Sequence, residues 1–202
     1  MDGAAPRSVF GDSFGTASQY VDILTTRGIE WGLLGPREVD RVWDRHVLNS
    51  VAVAPLVPSG ASVVDVGSGA GLPGIPLAIL RPDLGVTLLE PLQRRYNFLT
   101  LAVAELDLDD RVTVVRGRAE DHGHRYDVVT CRAVAPLPRL LTWCAPLIGP
   151  GGRLVALKGS SAAEEIDAAG RELARFRLHA RLEQLPVPGG ADTTWAVVAS
   201  PR

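Results

Sequence analysis

The sequence predicts an α/β fold: a mostly parallel sheet with helices on both faces and an antiparallel edge, preceded by an N-terminal helical segment. Three observations carry that reading. Strand-like apolar runs alternate with helical ones from residue 62 onward, the pattern of parallel strands joined by crossover helices. The first run, Val63-Val-Asp-Val66, ends in a loop with four glycines, Gly67, Gly69, Gly71 and Gly74. A strand that ends in such a loop and then enters a helix is a nucleotide-cofactor cradle. The last two runs have no helix between them, so they pair antiparallel at one edge.

The N-terminal segment, residues 1–57, reads as two helical pieces. The first spans about Ser13 to Arg27. The second opens at Pro36, a favourable first-turn residue, and runs to about Leu56. Within it Val39, Val42, Trp43, His46, Val47 and Ser50 recur at three- and four-residue spacing and share one helix face. Residues 58–202 then form one globular unit. Ser62 to Val66 is a strand, buried on both faces by its composition. Leu72 to Leu80 is a short helix, with Pro73 and Pro76 tolerable only in its first turn. Val86 to Glu90 is a strand, and Pro91 opens a helix through Leu106. Val112 to Val115 and Tyr126 to Cys131 are strands, and Pro136 to Leu147 is a helix. Gly149-Pro-Gly-Gly152 reads as a turn before a strand at Arg153 to Leu157. Ala162 to Arg175 is a helix. Arg177 to Leu185 and Thr193 to Ser200 are the final strands.

Composition narrows the function classes. At 202 residues, 46% of them hydrophobic, the chain supports one α/β domain with a short extension. No apolar run reaches the ~20 residues of a membrane span, and residues 1–10 lack a basic stretch followed by an apolar one, so neither an anchor nor a secretory signal is expected. Cys131 and Cys144 have no metal-ligand spacing and no disulfide framework, which fits reduced thiols in a cytoplasmic protein. No metal is expected. The net charge of −2 does not announce a nucleic-acid binder. Of the 21 basic residues one alone is lysine, Lys158.

Gly69-Ala-Gly71-Leu-Pro-Gly74 fits the dinucleotide fingerprint, so the cofactor has to be decided by its neighbours. Asp65 ends the first strand two residues before Gly67. A carboxylate aimed at a pyrophosphate repels it by roughly 1–4 kcal/mol in wet surroundings, whereas it favours a cationic ligand such as S-adenosylmethionine. Pro73 removes a backbone N–H where phosphate binding uses one. Glu90 ends the second strand, placed to accept both ribose hydroxyls of either cofactor; it also suits a cap before Pro91. Ala119 and Glu120 follow the third strand, where the carboxyl ends of neighbouring strands line one crevice.

Together these residues resemble one family, the bacterial small-subunit rRNA guanine-N7 methyltransferase G, also called glucose-inhibited division protein B. The resemblance rests on Arg45-His-Val-Leu-Asn-Ser50, Val64-Asp-Val-Gly-Ser-Gly-Ala-Gly-Leu-Pro-Gly-Ile-Pro-Leu77, Arg81-Pro-Asp83, Leu88-Leu-Glu90, Arg116-Gly-Arg-Ala-Glu120, Arg132-Ala133 and Ala156-Leu-Lys-Gly159. The arginine-rich composition and Leu89-Glu-Pro-Leu92 are similar to its actinobacterial branch. The resemblance implies a Rossmann-like class I methyltransferase with seven strands, and methylation of N7 of a guanine in the decoding-region loop of 16S rRNA. It implies S-adenosylmethionine contacts from Gly67, Leu72, Ala119, Glu120 and Arg132, beside the Asp65, Gly69 and Glu90 already singled out. Arg94, Arg118, Arg132 and Lys158 would line a basic mouth for the RNA. Asn49 stands where the family commonly has Asp, and Ala191-Asp-Thr-Thr194 where many members have Glu-Arg-His, so no role is carried over at either place.

The residues allow this chemistry without a dedicated base. Guanine N7 is a lone-pair nucleophile at neutral pH, so proximity and alignment suffice, and no catalytic acid or base is expected. Cys131 fits a buried strand-end residue better than a nucleophile. His46 is either a packed residue or an RNA contact. Arg94 and Arg95 occupy the first turn of a helix, where the dipole disfavours cations, and a substrate phosphate explains both. Lys158, at a strand's carboxyl end, is expected to contact phosphate as a compact point charge. The partner is then 16S rRNA or the small subunit, and the protein a monomer. The rival functions are a small-molecule methyltransferase, an NAD-binding oxidoreductase and a cofactor-binding module without catalysis.

Overall fold

Val63 and Val64 are both fully buried, yet they point into different cores, because successive strand side chains face opposite sides of a sheet. The computed structural model describes residues 4–190 and 192–202. Its seven strands are β1 (Ser62–Val66), β2 (Gly85–Glu90), β3 (Val112–Arg116), β4 (Tyr126–Arg132), β5 (Ile148–Lys158), β6 (Leu178–Pro186) and β7 (Thr193–Pro201). They form one sheet in the order β3-β2-β1-β4-β5-β7-β6. β1 to β5 pair in parallel. β7 runs antiparallel to both neighbours, so the expected antiparallel pair is present, with β7 inserted inside the edge strand β6.

The eight α-helices among the described residues are α1 (Ala4–Phe10), α2 (Phe14–Ile23), α3 (Asn49–Val51), α4 (Gly74–Leu80), α5 (Gln93–Glu105), α6 (Leu137–Cys144), α7 (Ala162–Ala168) and α8 (Gly170–Arg175). One face of the sheet packs Val63, Leu88 and Val155 against Tyr20, Leu24, Val47, Ile75 and Phe98. The other packs Val64, Val129, Leu154 and Ala156 against Leu137, Leu141 and Cys144 of α6 and Leu173 of α8. Full burial of each such Val or Leu contributes about 1.5–3 kcal/mol, so both layers hold the sheet from its two sides.

The N-terminal segment is helical, as expected, but its pieces are irregular. α2 loosens into a π-helical turn at Leu24–Gly28. The second piece begins as a 3-10 turn, Pro36–Arg41, continues as a π-helical stretch, Val42–Leu48, and ends in α3. Val42, Val47 and Ser50 are buried as the helical face predicts, but Val39 is exposed, because the 3-10 turn rotates it off that face. The segment is tied to the glycine loop and to the residues that follow α4. The Tyr20 hydroxyl donates to Ala70 O at 2.8 Å, and Arg81 donates to the carbonyls of Ala54, Val57 and Pro58. Asp83 pairs with Arg81 and accepts from Gly60 N–H.

Two other expectations change. The glycine-rich turn at 149–152 is the start of β5, shifted by a bulge where it pairs with β4. A Cβ on Gly152 would lie 2.7 Å from Tyr126 O, so glycine here serves close strand approach. The long helix at 162–175 is interrupted at Ala169, next to Gly170. Among the described residues no helix is long and apolar enough to cross a membrane.

Candidate functional site

Parallel pairing brings the carboxyl ends of β1, β2, β4 and β5 to one edge. Val66 is in register with Leu89, and Arg132 with Leu157. The glycine loop, Glu90, Arg132 and Lys158 follow from those strand ends, so residues up to about a hundred positions apart line one crevice.

One large cavity there has a volume of about 610 Å³ and is lined by Gly67, Gly69, Leu72, Glu90, Arg95 and Arg132, among others. A second, of about 220 Å³, shares Gly67, Pro91 and Val134 with it and adds Arg118, Ala119, Glu120, Arg139 and Trp143. Its walls are mostly apolar, as a purine requires. Two further cavities, of about 340 and 550 Å³, meet the first at Arg132 and Ala133. Both are lined by Asn49, Lys158 and Thr194.

Glu90 is buried, yet it lines the large cavity. Its Oε2 accepts Gly69 N–H at 3.0 Å and its Oε1 accepts Leu92 N–H at 3.0 Å. Each carboxylate oxygen keeps a further lone pair, so two ribose hydroxyls have acceptors held in place by backbone.

The loop is poorly suited to cradle a phosphate. Gly67 and Ser68 N–H donate to Leu89 O, Gly71 and Leu72 N–H to Ser68 O, Gly69 N–H to Glu90 and Gly74 N–H to Asp65. Phosphate binding at a helix entry needs such groups free. Six of the loop's amides are thus committed, which fits a phosphate-free cofactor.

Asp65 corrects the expectation of a direct cofactor contact. Its side chain is fully buried and lies outside the cavity lining. Oδ2 accepts Gly74 N–H at 3.0 Å, and Oδ1 has no partner among the described residues. Burial raises its pKa to about 7, against the Gly74 hydrogen bond and the Arg132 charge. Asp65 therefore holds the loop and the start of α4 from beneath.

Lys158 is held more tightly than a solvated strand end would be. Its side chain is 8% exposed and donates to Ala135 O at 2.6 Å and to Glu165 Oε2 at 2.7 Å. The same Glu165 oxygen accepts Leu137 N–H at 2.7 Å. Burial favours the neutral Glu165, but Lys158 and the Leu137 N–H outweigh it and hold the pKa below the ordinary value. Lys158 thus fastens the loop between β4 and α6, and its charge is paired with Glu165 while it also lines two of the cavities.

The other basic residues separate. Arg95 lines the large cavity, whereas Arg94 lies against Gly32 in a shallow hollow with Glu30, Trp31 and Asn97. Arg118 edges the smaller cavity beside Ala119. Arg132 stands where the cavities meet, with Nη2 2.7 Å from His46 Nδ1 and Nη1 donating to the carbonyls of Arg45 and His46. His46 Nε2 lies 2.9 Å from Glu38 Oε2. Cys131 is buried in the α6-side core beside Cys144, away from the crevice. A hydrogen bond with Cys131, then burial, push the Cys144 thiol well above its ordinary pKa. Ala191, in the turn with no carried-over role, lies outside the described residues; Asp192, Thr193 and Thr194 line the 550 Å³ cavity.

Sequence reasoning missed Glu38, Glu165, Arg139 and Trp143. Arg139 stacks over Trp143, 4.9 Å from the ring centroid; their i, i+4 spacing on α6 was the available signal. Glu38 carried none, because a regular helix would not bring it to His46.

This sheet order and crevice define the class I, S-adenosylmethionine-dependent methyltransferase fold. The glycopeptide N-methyltransferase MtfA, solved with sinefungin, has it: TM-score 0.61 at 18% identity, covering 79% of this chain and 96% of that one. The chain belongs to a particular family within that class, rRNA small subunit methyltransferase G, whose family model matches residues 14–185. It is 53% identical over 195 residues to the ribosomal RNA small subunit methyltransferase G of Kineococcus radiotolerans, covering 95% of this chain and 77% of that protein. The protein of the same name from Salinispora tropica is 58% identical, covering 80% and 70%.

Proposed function

We propose that this chain methylates N7 of a guanine in the decoding-region loop of 16S rRNA, with the cofactor in the 610 and 220 Å³ cavities and the guanine entering from the cavities beyond Arg132. The observation that carries the cofactor placement is Glu90, whose buried carboxylate is fixed by two backbone N–H groups at the cavity wall. When bound, S-adenosylmethionine supplies an electrophilic methyl group on a sulfonium. Glu90 would accept from the ribose hydroxyls, and Ala119, Glu120 and Trp143 would flank the adenine. Gly67, Gly69 and Leu72 would cover the remainder, with Asp65 acting through the loop.

N7 carries a lone pair at neutral pH, so the protein has to align it and exclude water rather than remove a proton. Arg95, Arg118 and Arg132 receive the RNA. Arg94 is a peripheral contact in this reading. Residues 1–57 and 58–202 act as one unit, because Tyr20 and Arg81 join them beside and below the loop. We place the protein in the cytoplasm as a monomer.

The test is transfer of a labelled methyl group from S-adenosylmethionine to naked 16S rRNA or to small subunits taken from a strain lacking the modification. Label in either supports the reading. Label in neither, or in a metabolite extract alone, overturns it.

A further inference from the structure

We propose that His46 is a positioning residue: it serves as a neutral hydrogen-bond acceptor for Arg132, and Glu38 fixes the ring tautomer that makes this possible. The inference rests on the functional reading above and assigns a proton-sensitive support to the same site.

A guanidinium has donors only. With Arg132 Nη2 at 2.7 Å, His46 Nδ1 must present a lone pair. With Glu38 Oε2 at 2.9 Å, Nε2 must carry the proton. One species satisfies both distances, the neutral ring protonated at Nε2. Arg132 Nη1 meanwhile donates to Arg45 O at 3.2 Å and to His46 O at 3.3 Å. Its Nε–H and second Nη2–H have no acceptor among the described residues and remain for a ligand. Arg132 is therefore held, before substrate arrives, by a chain segment remote in sequence. Such prior ordering lowers the cost of binding.

The charges around His46 come from several elements. Glu38 and Arg41 lie on the 3-10 turn, and Asp44 and Arg45 on its own π-helical stretch. Arg132 faces it from β4. Lys158 of β5 and Asp192 before β7 line the same cavity, and Asp65 and Tyr20 act on Arg132 from behind. Burial, then Arg132, hold the His46 pKa below its ordinary value, with Glu38 opposing. Protonation of Nδ1 would put a donor and a positive charge against Arg132 and release it. The reaction should therefore lose rate on the acid side of neutrality although guanine N7 itself remains unprotonated.

The experiment measures kcat/KM against pH from 5 to 8, with small subunits lacking the modification, for the wild type, His46→Gln and Glu38→Gln. Cofactor affinity is measured by calorimetry and folding by Tm. We expect His46→Gln to lose roughly tenfold in kcat/KM at pH 7.5, the scale of one hydrogen bond to a charged group, with cofactor affinity within about threefold and the acid limb gone. Glu38→Gln should shift the limb to lower pH, since the carboxylate that favours the imidazolium is removed. A His46→Gln profile that keeps the wild-type limb, or a rate loss matched by lost cofactor affinity, overturns the proposal. If His46→Gln does not fold, an unmoved limb in Glu38→Gln overturns it. Wild type that methylates no rRNA at any pH defeats the functional reading instead.

Discussion

Lys158 and Glu165 form a 2.7 Å ion pair in the wall of the crevice, and Glu165 also receives the Leu137 N–H at the start of α6. The pair spans β5 and α7 and fixes the loop carrying Ala133, Val134 and Ala135. This makes the lone lysine of the chain a fastening of the site. Lys158→Ala removes one partner and leaves a partly buried carboxylate, which costs about 1–3 kcal/mol. For a domain of this size that is a fall of roughly 2–12 °C in Tm. Thermal unfolding of Lys158→Ala beside Arg94→Ala checks it. The lysine variant should melt lower and the arginine variant close to wild type. Equal Tm values with weaker RNA binding would restore a free phosphate contact.

The contrast between Lys158 and Glu90 shows how far the sequence reaches. The strand–helix alternation, the sheet's antiparallel pair and the position of Glu90 at a strand end were legible, because period and strand order place them. Strand-end position alone could not say whether Lys158 is solvated or paired, since Glu165 approaches it from a separate helix. Asp65 failed for a related reason: its place before the loop was right, but residue spacing does not give the depth at which a side chain sits. Glu38 and His46 meet only because the second N-terminal piece winds as 3-10 and π turns, a tertiary outcome that helical periodicity hides.

Asp65 binds its proton more tightly in the folded protein, because burial raises its pKa to about 7. Its contribution is fullest below the unfolded value near 3.9 and is lost as pH rises to about 7. Asp65→Asn does not titrate. The stability of the variant relative to wild type should therefore rise by on the order of 1 kcal/mol per pH unit between pH 5 and 7 and level off above. Urea unfolding at four pH values measures this. A difference that does not change with pH contradicts a buried, proton-holding Asp65.

Glycine at 74 and glycine at 69 should fail differently. A Cβ on Gly74 would lie 2.4 Å from Leu88 Cδ2 and 2.9 Å from Asp65 Oδ2, so Gly74→Ala overpacks the loop base at about 1–3 kcal/mol. A Cβ on Gly69 meets nothing closer than 3.8 Å, and its positive φ costs about 1 kcal/mol. Gly74→Ala should lower Tm more, and Gly69→Ala should mainly weaken cofactor binding at the cavity wall. Calorimetric unfolding and cofactor titration of both variants separate the two effects.

Glu90→Gln can keep one of the two backbone N–H bonds but places an amide donor at the other. Cofactor affinity should fall at least roughly tenfold, the scale of a hydrogen bond to a charged group. Isothermal titration with S-adenosylmethionine reads this directly, and unchanged affinity would remove Glu90 from the ribose site.

The central claim is where the methyl group goes. Small-subunit rRNA from a strain deleted for this gene, with and without the wild-type gene restored, can be digested and mapped by mass spectrometry. The account predicts one N7-methylguanine in the decoding-region loop of 16S rRNA, absent in the deletion, returned by the wild type and reduced with Glu90→Gln. A modification that is present in the deletion strain, or that the restored wild type places on another atom or another RNA, would contradict it.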